Sequence, residues 1–159
     1  MSQTVATAAP ESAIPAVSAY ARLAHVGIAG PDPAGLAEFY KDFFGQELTG
    51  SFAPVNALFM SSCPAEEHHE VAIFGDQKYR HVAFRTDSPA DLAAYYRAIK
   101  ARGLPMVMVA DHGVSVEIMF VDPAGNLCEV YLPTESADGE IQNVPLDEEQ
   151  FMARLGELS

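Results

Sequence analysis

Apolar and polar positions alternate along the chain in two matching stretches, each of which predicts a strand, a helix and several short strands. In the first stretch a strand covers residues 21–29, and Pro33 opens the helix because proline is common in a first helical turn. Apolar side chains recur at helical spacing up to Gly45, which can end the helix in a left-handed conformation. Strands are predicted near 47–52, 56–62 and 68–74.

The second stretch repeats this order without a gap. His25-Val returns as His81-Val, and the helix residue Tyr40 returns as Tyr96, at the same offset: 81 − 25 = 56 and 96 − 40 = 56. Such a constant offset indicates a duplicated structural unit. The pattern then predicts a strand, a helix that ends at Gly103 and three further strands, at 79–86, 89–101, 105–110, 115–121 and 126–132. The expected fold class is α+β, with two paired βαβββ modules at 20–76 and 77–135.

Both ends of the chain lie outside the repeat. Residues 1–19 are rich in Ala, Ser and Pro but have neither a basic start nor an apolar run, so we expect a flexible tail and no secretory signal. Residues 136–159 form a C-terminal extension. A helix is predicted at 147–157, with Asp147 as its N-cap and Gln150 at the capping-box position. We interpret that helix as a lid or an oligomer contact.

Composition narrows the possible partners. The chain has 159 residues, 49% hydrophobic and 19% charged, which is typical of one globular domain. Its net charge of −13 disfavours nucleic acids and anionic membranes as partners. Two cysteines, Cys63 and Cys128, are too few for a disulfide scaffold, which favours a reducing compartment. With no run long enough to span a bilayer, we expect a cytoplasmic protein.

Three residues predict a metal site. His25 and His81 occupy the same place in the two opening strands, so pairing of the modules would bring both imidazoles to one cavity. Glu129 lies in an apolar strand and shares a face with Leu127 and Tyr131. A carboxylate buried there without a partner would cost several kcal/mol, which favours a neighbouring cation. Two histidines and one carboxylate leave coordination positions open, as in non-haem Fe(II) oxygenases.

At these residues the sequence resembles the vicinal oxygen chelate superfamily, which includes glyoxalases, extradiol ring-cleavage dioxygenases and bleomycin resistance proteins. The resemblance covers about residues 21–134. It rests on four motifs, of which the last is the most specific: Ala24-His-Val-Gly-Ile28, Phe39-Tyr-Lys-Asp-Phe-Phe-Gly45, His81-Val-Ala-Phe84 and Phe120-Val-Asp-Pro-Ala-Gly-Asn-Leu-Cys-Glu129. The family fold implies an open cup of mixed β-sheet around a metal held by His25, His81 and Glu129.

Within the family the chain is most similar to single-domain extradiol dioxygenases. That likeness implies Fe(II), or Mn(II) or another divalent ion, acting on a small catechol-like aromatic substrate and O2. His69 would be the acid/base residue, and His112 would contact the substrate. The family's tyrosine ten residues before the glutamate is absent, since 129 − 10 = 119 is Met119. Either His112 makes the missing contact, or the substrate is not a simple catechol.

Two alternatives stay open. Aligning Glu70-Val-Ala-Ile with Glu129-Val-Tyr-Leu makes Glu70 a possible fourth ligand, as in a glyoxalase-like isomerase or lyase. Neighbours on a strand point to opposite sides, so either Glu70 or His69 faces the metal. The cup could instead serve a small-molecule binding or resistance protein. Its expected apolar lining is Phe59, Met108, Met119 and Tyr131, and the resemblance implies a homodimer.

Overall fold

The computed structural model describes residues 20–134 and 141–159. The predicted tail at 1–19 lies outside the described residues, as does the start of the C-terminal extension. The described residues form strands and helices in this chain order: β1 (Arg22–Ala29), α1 (Pro33–Phe44), β2 (Glu47–Phe52), β3 (Ala57–Ser61), β4 (Val71–Phe74), β5 (His81–Arg85), α2 (Pro89–Ala101), β6 (Met106–Asp111), β7 (Ser115–Val121), β8 (Leu127–Pro133), β9 (Val144–Pro145) and α3 (Glu148–Glu157).

The strands form one curled, open mixed sheet in the order β2-β3-β4-β1-β5-β8-β7-β6-β9. Each half has the same internal pattern, because β1 runs parallel to β4 as β5 runs parallel to β8, and the remaining neighbours are antiparallel. The predicted pair of βαβββ modules is therefore confirmed. The strand predicted at 68–74 is shorter than expected and begins only at Val71.

The two modules meet where β1 pairs antiparallel with β5. Val26 lies opposite Val82, its own equivalent in the repeat, since 82 − 26 = 56. A local twofold relation therefore passes between these two residues. Both valines are more than a third exposed, on the outer face of the sheet, while the neighbouring His25 and His81 are buried on the inner face. The alternation of a strand thus sends both imidazoles into the cup.

The helices cover the outer face of the sheet. Asp32 is the N-cap of α1, and its carboxylate accepts a hydrogen bond from the Gly35 amide. Gly45 is the C-cap, in the left-handed region with φ of 70°. α2 begins after Ser88, which caps the helix in the same way. The main core lies between α2 and the outer face of module 2 and contains Leu92, Tyr96, Ile99, Val116, Ile118, Val130 and Leu132. None of the helices in the described segments is long and apolar enough to cross a membrane.

The C-terminal helix α3 belongs to that same core. Asp147 and Gln150 form the predicted capping box. Phe151 is fully buried, with its ring centroid 4.9 Å from that of Tyr96, and Leu155 is buried beside it. The interpretation of α3 as a lid is therefore wrong, because its apolar face is used against α2 outside the cup. Before it, β9 extends the sheet by pairing with β6.

Candidate metal centre and cavity

The junction of the modules brings the three predicted ligands together. His25 Nε2 and His81 Nε2 are 3.1 Å apart. Glu129 Oε2 lies 3.4 Å from the first nitrogen and 3.3 Å from the second. All three residues are buried. Neighbouring ligands about 2.1 Å from one ion are separated by roughly 3 Å, so this triangle has the dimensions of one face of a metal coordination sphere. The group could hold a divalent ion.

The electrostatics of the triad also favour a cation. Burial lowers the pKa of His25 to about 4, so its imidazole is neutral near pH 7. The His81 Nδ1 donates to the Tyr79 carbonyl oxygen at 2.7 Å, which directs the Nε2 lone pair towards the centre. Burial raises the pKa of Glu129, because its charged form loses hydration. Lone pairs that converge in this way are stabilised by an ion between them, and the donor set of two imidazoles and a carboxylate suits Fe(II), Mn(II) or Zn(II).

A glycine makes room for one of the ligands. Gly27 lies opposite His81 in the β1–β5 pair. A Cβ placed on Gly27 would stand 2.4 Å from His81 Nδ1, closer than any side chain permits. The ring of His81 therefore occupies the space above Gly27, with the hydrogen bond to Tyr79 fixing its rotation.

Glu70 does not join the triad, and its assignment as a possible fourth ligand is corrected. Its carboxylate accepts hydrogen bonds from the Ser62 amide, at 2.7 Å, and the Ser62 hydroxyl, at 2.5 Å, at a solvent-exposed position. These hydrogen bonds lower the pKa of Glu70. The strand register explains the error. Glu129 pairs with Ala83 and Ala72 pairs with Gly27, and 83 − 27 = 56.

The module 1 equivalent of Glu129 is therefore Ala72, not Glu70. Ala72 is buried and lines the cavity on the inner face of β4. A methyl group at this position supplies no ligand atom, and within the described residues no fourth side chain joins the group.

His69, rather than Glu70, lines the cavity. Its ring centroid lies 4.2 Å from that of His25 and 4.8 Å from that of Phe59. Burial, followed by the other histidines, lowers the pKa of His69 well below its usual value, so it is a neutral imidazole near pH 7. The neighbouring His68 also lines the cavity, and its Nδ1 is 2.8 Å from Nδ1 of His69.

His112 also faces the cavity, beside a residue that the sequence analysis missed. Its Nε2 lies 3.1 Å from Oε1 of Glu117, a carboxyl group that is buried on the inner face of β7. Burial alone would lower the pKa of His112, but the adjacent Glu117 outweighs it and raises the pKa. Burial and the nearby Glu129 raise the pKa of Glu117 in turn. The alternation Ser115-Glu117-Met119 was a usable signal, since it places Glu117 on the face predicted to line the cup.

These side chains border one cavity of about 1110 Å3. All five histidines of the chain line it. The four predicted apolar contacts, Phe59, Met108, Met119 and Tyr131, line it as well. Tyr131 donates to Oε1 of Glu67 at 2.9 Å, and Arg85 holds the other oxygen of that carboxylate at 2.6 Å. The cavity is therefore apolar over most of its wall, with a smaller number of polar groups among its lining residues.

Comparisons with known proteins agree with this geometry. The family model described as Glyoxalase/Bleomycin resistance protein/Dioxygenase superfamily matches residues 22–130. Two curated relatives come from Rhodococcus globerulus. Biphenyl-2,3-diol 1,2-dioxygenase 3 is 26% identical over 74% of this chain and 68% of its own length. Biphenyl-2,3-diol 1,2-dioxygenase 2 is 29% identical over 47% of this chain, and the chain spans less than half of it, 45%.

Solved structures share the fold. Homoprotocatechuate 2,3-dioxygenase from Arthrobacter globiformis superposes with a TM-score of 0.63 and 22% identity, over 92% of this chain and 43% of that one. The Mn(II)-bound glyoxalase from Novosphingobium aromaticivorans superposes with a TM-score of 0.59 and 24% identity, over 80% of this chain and 43% of that one. At this level of identity the likeness concerns the fold.

Proposed function

The chain belongs to the glyoxalase/bleomycin resistance protein/dioxygenase superfamily, and on that premise we propose that it is a metal-dependent extradiol-type dioxygenase, an oxidoreductase that cleaves the ring of a catechol-like aromatic compound. The observation that carries the proposal is the triad at the wall of an apolar cavity, with Ala72 where a second carboxylate would fill the coordination sphere. The dioxygenase relatives support it.

His25, His81 and Glu129 would hold the ion. Fe(II) is the favoured metal, with Mn(II) or another divalent ion as the alternative, and when bound it would supply the oxygen chemistry and acidify a coordinated substrate hydroxyl. The chain's own contribution is to fix the triad on the paired strands β1, β5 and β8. The open side of the triad then leaves room for the vicinal oxygens of the substrate and for O2.

His69 is the proposed acid/base residue. Its neutral imidazole, packed against His25, can accept the proton of a substrate hydroxyl at neutral pH and return it later in the reaction. Its ring is partly buried, which reduces competition from bulk water for that proton. The pairing with His68 holds the ring of His69 in place.

His112 is proposed to bind a substrate oxygen. The raised pKa beside Glu117 favours the protonated ring, which donates hydrogen bonds. The Met119 side chain, opposite Glu129 in the β7–β8 pair, has no hydroxyl to offer. His112 would therefore supply the donor that Met119 lacks, while Phe59 and Tyr131 contact the substrate ring.

Reconstitution with Fe(II) under anaerobic conditions, followed by a panel of catechols and air, tests the proposal. The expected result is uptake of one O2 per diol and a yellow ring-opened product. Retention of diols without O2 uptake would instead favour a binding or resistance protein. Turnover of carbonyl substrates without O2 would favour the isomerase alternative, which the position of Glu70 makes less favourable.

We also propose a cytoplasmic homodimer. Its support is the exposed aromatic surface of α1, where the side chains of Phe39, Phe43 and Phe44 are 49%, 71% and 56% exposed and contact one another. The match covers 43% of each of the two structural relatives, and a dimer would bring two pairs of modules together. Sedimentation velocity that finds only monomer at micromolar concentrations would reject the dimer.

A further inference from the structure

A short C-terminal segment crosses the open side of the cup. Among the residues that the structure describes, β2 and β9 are the two edge strands of the sheet. Residues 141–146, which we name the strap, are tied to the module 2 side: the Gln142 amide donates to the His112 carbonyl oxygen at 3.0 Å, and the Leu146 amide donates to that of Val109 at 2.9 Å. The strap thus starts beside a residue of the proposed substrate site.

The first side chain of the strap reaches module 1. Ile141 packs against the inner-face cluster of Ala57, Phe59, Ala72 and Phe74. Its Cδ1 stands 3.7 Å from the point where a Cβ on Gly50 of β2 would be, an ordinary van der Waals distance. The Ile141 side chain therefore reaches from the strap to the module 1 edge strand β2, at a position where Gly50 has no side chain of its own.

The strap is also part of the cavity wall. Ile141, Asn143, Pro145 and Leu146 line the same cavity as the triad. Val144, on the strap between them, is 48% exposed and is not among the lining residues. The cavity volume of about 1110 Å3 lies just above the roughly 300–1,000 Å3 of most ligand pockets and is much larger than one aromatic ring requires.

From this geometry we infer that Ile141 is a specificity-determining residue, which sets the size of the apolar substituent that the cavity accepts beside the reacting ring. The substrate class that fits is an aromatic diol that carries a second ring. The diol part of this inference rests on the proposed function. The size limit rests only on the residues that line the cavity.

Phenols test the size limit without turnover, because they lack the second oxygen needed to chelate a metal. Calorimetry on the metal-free protein compares phenol, 2-phenylphenol and a three-ring terphenylol. We expect wild type to bind 2-phenylphenol at least tenfold more tightly than phenol. Ile141→Ala should improve the affinity for the terphenylol relative to 2-phenylphenol about tenfold. Ile141→Trp should reduce the preference for 2-phenylphenol over phenol about tenfold. Both values are of the order of effect that one or two carbons have in an apolar pocket.

Val144→Ala is the matched control, since it removes carbons from the same segment outside the cavity, and its affinity ratios should stay within twofold of wild type. A shift in the expected direction in either Ile141 variant supports the inference, so a poorly folded variant does not decide the test. Ratios within twofold in both variants, or a wild type without preference for two rings, overturn it.

Activity separates the two proposals. If the Fe(II)-loaded protein opens no diol while the phenol ratios shift, the dioxygenase proposal fails and the size limit stands. If wild type and both Ile141 variants open catechol and biphenyl-2,3-diol with the same ratio of kcat/KM, the specificity inference fails and the dioxygenase proposal stands.

Discussion

The two modules share a strand order but differ at the inner positions that matter for chemistry. His25 and His81 are equivalent, and each contributes one nitrogen to the triad. At the next equivalent pair, module 2 has Glu129 and module 1 has Ala72. The duplication therefore supplies a symmetric pair of imidazoles, and the departure from symmetry at one position means that module 1 offers no carboxylate to match Glu129.

A second difference concerns the space around each imidazole. His81 lies opposite Gly27, whereas His25 lies opposite Ala83, the equivalent of Gly27. Only the His81 ring approaches the facing backbone so closely that a Cβ would collide with it. The ligand of module 2 is thus held by contact and by its hydrogen bond to Tyr79, while the His25 ring is held by the rings of His69 and Tyr131.

The largest effect is expected from Glu129→Ala, which removes the only carboxylate of the triad. Metal content and oxygen uptake should both be lost, since the loss of a direct ligand exceeds the roughly 10–100-fold effect of removing a supporting residue. Elemental analysis and an oxygen electrode check this. Full metal content in the variant would contradict the assigned triad.

His69→Gln should come next, because it removes the proposed proton acceptor of module 1 and keeps the triad. We expect kcat to fall by about 10²–10⁴-fold with unchanged metal content. His68→Gln is the neighbouring control and should lose less. Wild-type kcat in His69→Gln would remove the acid/base role.

Gly27→Ala should displace His81 and weaken metal affinity by about 10–100-fold, as for other changes that disturb ligand orientation. The reciprocal change in the other module, Ala83→Gly, should leave metal affinity near wild type. Competition with a chelator measures both. Equal effects would mean that the two imidazoles are held alike.

Ala72→Glu would make module 1 resemble module 2. A carboxylate there should tighten metal binding about tenfold, or ~1.4 kcal/mol, and should slow oxygen chemistry by filling an open position. Ala72→Gln, of similar size but uncharged, controls for lost cavity volume. Faster O2 uptake in Ala72→Glu would contradict the need for the open side.

Glu70→Gln should have the smallest effect on activity and should leave metal content unchanged, because the Glu70 carboxylate is hydrogen-bonded to Ser62 and not directed at the triad. The lowered folded-state pKa of Glu70 means that its contribution to stability is present above the unfolded pKa and fades as the pH falls through the folded value. Thermal unfolding of wild type and variant should therefore converge at acid pH, with a difference below about 1 kcal/mol near pH 7.

Much of this architecture could be predicted from the sequence for identifiable reasons. The repeat fixed the strand and helix order, and the alternation within β1, β5 and β8 put the His25, His81 and Glu129 side chains on one face. The Glu70 alignment failed because it matched letters, Glu-Val-x-Ile with Glu-Val-x-Leu, whereas strand pairing set the register two residues later. A match of residue types does not determine which residues lie opposite each other.

Other features depend on tertiary contacts that a local pattern does not specify. The amphipathic pattern of α3 predicted that one face of the helix packs against an apolar surface, but it did not identify that surface. In the structure Phe151 of α3 packs against Tyr96 of α2. β9 is only two residues long, and the bridging contact of Ile141 joins distant parts of the chain. Glu117 could have been predicted in the same way as Glu129, because both are acidic residues on the inner faces of apolar strands.

The junction between Val26 and Val82 has a thermodynamic consequence. Each module provides one imidazole at this boundary, so an ion bound to both would hold the two modules together. Because such an ion binds only the folded protein, the free energy of unfolding would rise with the metal concentration. The melting temperature would then depend on the concentration of the bound metal ion, and a chelator would destabilise the β1–β5 junction before it disturbed the core around Phe151.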